Sequence, residues 1–184
     1  MRLSYVKCRI FKNLIGIIFF LLGVVCNMAN KRKVSTDTTA ELSPDLLKRY
    51  NISVIPLYVI FGEKSYRDGI DMTTRELYEN VNASQMLPKT SAPTVNDFAE
   101  AFRPWIEDGY SVIYIGLSSK LSSTTQSAYM AAQEFPEGRV AVIDSLNLST
   151  GIGLLVLYTA ELILKGLDFQ EIVRQVQEAV PKVR

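Results

Sequence analysis

Ser111 to Phe135 reads SVIYIGLSSKLSSTTQSAYMAAQEF. SVIYIGL is β-branched, aromatic and apolar, as a strand buried on both faces requires. LSSTTQSAYMAAQEF reads as a helix begun by hydroxyl residues. Ser118, Ser119, Ser122, Ser123 and Thr124 place five hydroxyls in the seven residues at the junction. Ser and Thr are favoured helix caps, so one or two of these need no further role. Five exceed what one cap requires. A second apolar strand follows at RVAVIDS, residues 139–145. Strand, helix and strand in this order form a unit whose strands run parallel.

The same alternation extends in both directions. Downstream, LNLSTGIGLLVLYTAELILKG is a loop and then a long apolar helix stopped by Gly166. Asp168 caps a last helix through Val180. Upstream, VNDFAEAFRPWIEDGY carries Phe98, Phe102 and Ile106 on one helical face, and Gly109 ends it. Thr73 or Thr74 caps a helix through RELYENV. GEKSYRDGIDM and NASQMLPKTSAPT read as loops. Ile52–Phe61 is an apolar strand interrupted by Pro56, which argues for an edge position or a bend. Ser43 caps a short helix with Pro44 at its first position, and Val34–Ser35 is the first strand. The fold class is α/β, a mostly parallel sheet flanked by helices, with Val34–Ser35, Val112–Leu117 and Val140–Ile143 adjacent in it.

Composition excludes several functions. The 184 residues are 48% apolar, with 20 basic and 19 acidic side chains and a net charge of +1. No basic face points to nucleic acid. The absence of His removes the usual Ser-His-Asp triad and imidazole zinc sites. Cys8 and Cys26 both lie near the start, so no disulfide framework follows, and a cytoplasmic location fits. Arg2, Lys7, Arg9 and Lys12 precede an apolar run from Leu14 to Cys26. That run is shorter than the ~20 residues that cross a bilayer, so no integral membrane span is expected. Residues 1–27 are either a hydrophobic leader, such as a signal or anchor, or the product of a start assigned upstream of Met28. Either way they are expected to be dispensable for the fold.

Three strands end in hydroxyl-rich text: Thr36-Asp37-Thr38-Thr39, Ser118-Ser119 and Asp144-Ser145. In an open parallel sheet these ends share the edge where ligands bind. Hydroxyls and helix N-terminal N–H groups there suit an oxyanion. Asp37 and Asp144 are open to two readings: a metal or acid–base pair, or carboxylates that accept backbone N–H groups and shape their loops. Gly151 and Gly153 lack the third glycine of a dinucleotide fingerprint.

Four motifs in order then resemble the DegV family. They are VSTDTTAELSPDLLKRYNISVIPL, LPKTSAPT, GLSSKLSSTTQSA and VIDSLNLSTGIG, and the resemblance runs from Lys33 to the C-terminus. It implies a fatty-acid-binding protein of two α/β lobes that is not itself an enzyme. Such a protein presents the carboxylate to a separate fatty acid kinase for phospholipid synthesis, with no cofactor and no metal. It also implies that Thr90 and either Ser119 or Ser122 hold the carboxylate, with Ser91 and Ser118 as close candidates. Asp37 and Asp144, by their place after the strands, are expected to shape loops. Two departures stand out. Ser123 replaces a usual Gly, and Thr125 replaces a usual aromatic. Family members are longer, so the division expected is a lipid-binding domain over 28–150 and a helical segment, 151–184, leading into a second lobe that is largely missing. Two other functions compete: a Ser-dependent acyl or phosphoryl transferase, and a truncated remnant without activity. The transferase lacks an evident base among the hydroxyls, where a bare Ser is a poor nucleophile.

Overall fold

The computed structural model describes residues 31–183. The expectation for residues 1–27 lies outside them. Four strands form a parallel sheet in the order β2-β1-β6-β7: β1 (Arg32–Asp37), β2 (Ser53–Ile55), β6 (Ser111–Gly116) and β7 (Val140–Asp144). Val34 lies beside Ile113, and Ile113 beside Ala141. The three strands expected to be adjacent are adjacent and parallel.

Alternation along β6 explains the layering. Ile113, Ile115 and Leu117 point to one face, where α1 (Pro44–Arg49), α5 (Thr150–Leu164) and α6 (Phe169–Ala179) pack through residues such as Leu47, Ile152 and Ile172. Val112 and Tyr114 point to the other, against α3 (Val95–Glu107) and α4 (Thr124–Ala132). Phe98 of α3 meets the Tyr114 ring edge-on, with centroids 5.1 Å apart. Ser43, Thr73, Thr94 and Asp168 each accept the N–H that a helix start leaves unpaired.

The part read as one strand and two loops is different. Pro56 splits Ile52–Phe61 into β2 and β3 (Tyr58–Phe61), and β3 leaves the parallel sheet. GEKSYRDGIDM contains β4 (Lys64–Arg67), and NASQMLPKTSAPT contains the end of α2 (Thr74–Ser84) and β5 (Lys89–Ser91). These strands form a separate antiparallel sheet, β4-β3-β5. A Pro lacks the N–H that a ladder needs, so the chain turns there and changes sheets.

Lys33 lies near the start of β1, at the opposite end from the carboxyl edge of the sheet. It is 3% exposed, donates to the backbone and side-chain oxygens of Asn51 at 2.5 and 2.6 Å, and sits 3.9 Å from the Trp105 ring centre. Burial nevertheless lowers its pKa to about 8 from 10.5. The unfolded chain therefore binds more protons between those values, and stability rises with pH across that window. Below about pH 8 both states are charged and the burial cost is fully present. Urea titrations should show the protein gaining roughly 1–3 kcal/mol relative to Lys33→Met from pH 8 to pH 10.5. Parallel pH curves for the two proteins would exclude this account.

Candidate ligand site

The strand order places the topological switch between β1 and β6. The helix after β1 packs on one face of the sheet and the helix after β6 on the other, so their loops diverge and leave a crevice at the carboxyl edge.

Asp37 ends β1 and is fully buried. One carboxylate oxygen accepts from the N–H of Thr39 at 3.0 Å and from the Thr39 hydroxyl. The other accepts from the Tyr114 hydroxyl at 2.7 Å and the Leu117 N–H at 3.0 Å. Four donors leave it no free capacity toward a metal or substrate. Burial first, and the Asp37 carboxylate second, push the Tyr114 phenol well above its ordinary pKa. Gly116 permits this contact, because a Cβ there would sit 2.5 Å from the Tyr114 ring and hydroxyl.

The hydroxyl loop follows β6. Ser118 is buried, its N–H donates to the Asn147 carbonyl at 3.1 Å, and its hydroxyl accepts the Lys120 N–H at 3.3 Å. Ser119 is exposed; its N–H donates to Asp144 at 3.2 Å, and its hydroxyl bonds no group among the described residues. Ser122, not Ser123, supplies the oxygen at the start of α4, accepting the Thr124 N–H at 3.2 Å and lying 2.8 Å from the Thr124 hydroxyl. Thr125 donates to the Leu117 carbonyl at 2.5 Å. Asp144 also accepts the Leu146 N–H at 3.0 Å, so one carboxylate ties the loops after β6 and β7 together. Asp37, Ser118–Ser122 and Asp144 thus share one edge.

Thr90 and Ser91 lie on β5, in the other sheet. Thr90 stands opposite Val59 and Ser91 opposite Tyr58, so the two side chains point to opposite faces. The Thr90 face, shared with Tyr66, lies under α2, and the Ser91 face looks toward Asp97 and Glu100 of α3. Among the described residues no hydrogen bond links either to the Ser118–Ser122 loop.

Three features escaped the sequence reading. Tyr114 is a buried hydroxyl that reaches Asp37 from the strand, and the only signal was a Tyr inside an apolar strand. A cavity of about 250 Å³ opens beside Asp37, lined by Thr38, Leu42, Leu47, Val54, Pro56 and Ile70 among others. Leu121, Leu146 and Leu148, on the same two loops as the hydroxyls, are each more than half exposed. Among the described residues no three acidic or Cys side chains cluster as metal ligands, and no helix is long and apolar enough to cross a membrane.

Known proteins resemble this chain in sequence and in fold. A DegV domain-containing protein of Clostridium perfringens is 36% identical over 149 residues, covering 81% of this chain and 53% of its own length. One from Deinococcus radiodurans is 38% identical over 149 residues, with the same coverage. A Bacillus subtilis structure described as DegV, a fatty acid binding protein, superposes with a TM-score of 0.76 at 31% identity, covering 82% of this chain and 54% of that one. A stearic acid-binding protein from Eubacterium ventriosum gives 0.71 at 30% identity, covering 79% and 52%. The chain therefore spans about half the length of these relatives. The family pattern described as "Uncharacterised protein, DegV family" matches residues 31–184, and with the two-sided parallel sheet and the hydroxyl loop at its switch point, it makes this chain a member of the DegV family.

Proposed function

We propose that this chain binds a long-chain fatty acid, with the carboxylate on hydroxyls of the Ser118–Ser122 loop and of Thr90. In this reading it has no catalysis of its own, works in the cytoplasm, and presents the carboxylate to a separate fatty acid kinase for phospholipid synthesis. The observation that carries it is the pairing of hydroxyls with exposed leucines on one edge. An exposed apolar patch beside an anion cradle suits an amphipathic ligand with a charged head. Relatives described as binding fatty acids support it. The transferase alternative is weaker, since no hydroxyl of the Ser118–Ser123 loop bonds a Lys, Asp or Glu side chain among the described residues; Ser149, on the loop after β7, is the serine that donates to a carboxylate, that of Glu41. Organic extraction of the purified chain, followed by mass spectrometry, should recover a long-chain fatty acid above a control protein. Recovery of none, with no heat on calorimetric titration with palmitate, would remove the reading.

A further inference from the structure

We propose that residues 57–93 form a flap that moves as a unit on the parallel-sheet domain, and that a bound carboxylate latches it. Among residues 57–93 only Val59 and Met72 are buried besides Leu57 and Pro93 at the two ends. Helix α2 buries none of its side chains, and β4 and β5 are exposed almost throughout. Segments with so little buried apolar surface open at low cost. The flap has two crossings to the domain. At one, Pro56 redirects the chain and the Leu57 N–H donates to the Thr38 hydroxyl at 3.3 Å. At the other, buried Pro93 precedes Thr94, whose hydroxyl caps α3.

The seam between flap and domain is incompletely filled. The cavity of about 250 Å³ has Thr38 and Leu42 on its domain side and Asp68 and Ile70 on its flap side. A second, of about 170 Å³, separates Arg67 from Glu100 and Ala101. These open clefts leave little packing across the seam, which the Tyr58 hydroxyl crosses to Asp97 of α3. Thr90 belongs to the flap, whereas Ser118–Ser122 belong to the domain. One carboxylate held by both fastens the flap at a point away from its two crossings. The latch rests on the fatty-acid reading above, and the flap itself does not.

Hydrogen exchange read by mass spectrometry on the 184-residue chain tests both parts, with oleate as the probe. Without oleate, peptides within 58–92 should exchange at least about tenfold faster than those of β6, an opening difference worth about 1.4 kcal/mol. Saturating oleate should slow the flap by about tenfold and leave β6 unchanged. Thr38→Val, which removes the acceptor at the first crossing, should speed flap exchange about fivefold without oleate. If the flap exchanges as slowly as β6 in the free protein, the flap is refuted, whatever oleate does. If calorimetry shows oleate binding while flap exchange is unchanged, the latch fails and the fatty-acid reading stands. If oleate does not bind and the flap exchanges fast, the fatty-acid reading and the latch fail together while the flap survives.

Discussion

Asp37→Ala should cost about 3–5 kcal/mol of stability, as much as truncating a buried aromatic of the core. The carboxylate is fully buried and accepts from two backbone N–H groups and two hydroxyls. Its removal leaves the Tyr114 hydroxyl and the Leu117 N–H without an acceptor in the interior. Each such orphan costs about 1–3 kcal/mol, because the lost bond is not replaced by water. Asp37→Asn should be nearly as harmful. An amide presents two N–H donors on one side, and both carboxylate oxygens face donors here. Tyr114→Phe should cost less, since it removes one donor and keeps the ring against Phe98. Urea denaturation of the single and double variants measures the coupling between Asp37 and Tyr114. A loss under 1 kcal/mol for Asp37→Ala would mean that the loop after β1 relaxes and rehydrates, and that the carboxylate does not organise this edge.

That interaction also marks where sequence stops being informative. Val112–Leu117 and Val140–Ile143 are legible because strands covered on both faces must be apolar at every position, and no helix face is. The helix caps are legible because the cap and the group it serves lie within three residues. Asp37 and Tyr114 are 77 residues apart, and nothing local in either segment names the other. The antiparallel sheet is hidden for a different reason. KSYR and KTS are short and exposed, so they carry no apolar alternation. Their strands exist because β3 offers its ladder to both sides, which is a tertiary fact. At the site, the hydroxyl loop was visible as composition, but the division of labour within it was not. Burial of Thr124 and Thr125, and the use of Ser122 rather than Ser123 as acceptor for the Thr124 N–H, follow from how α4 meets the sheet.

Thr90→Ala and Ser122→Ala should each weaken fatty-acid binding by about 10- to 150-fold, the equivalent of one hydrogen bond of roughly 1.5–3 kcal/mol to a charged group. An ionised carboxylate offers only acceptors, so each bond needs a donor with a free hydrogen. Ser122 can supply one. Its oxygen already accepts the Thr124 N–H, and if the Thr124 hydroxyl donates across the 2.8 Å contact, the Ser122 proton is left for the ligand. The Ser122 substitution also removes the acceptor of the Thr124 N–H, about 1 kcal/mol of stability, so its binding loss must be read at a temperature where the variant is folded. Ser123→Ala is the matched control, because that hydroxyl caps nothing. The strand register sharpens the test further. Thr90 and Ser91 are neighbours on β5 but point to opposite faces, so one carboxylate cannot take both. Binding that falls with Thr90→Ala and holds with Ser91→Ala places the ligand on the α2 side of the small sheet. The reverse result moves it to the α3 side and reassigns the latch to Ser91. Calorimetry with palmitate decides between them, and unchanged affinity in both variants puts the carboxylate away from β5 altogether.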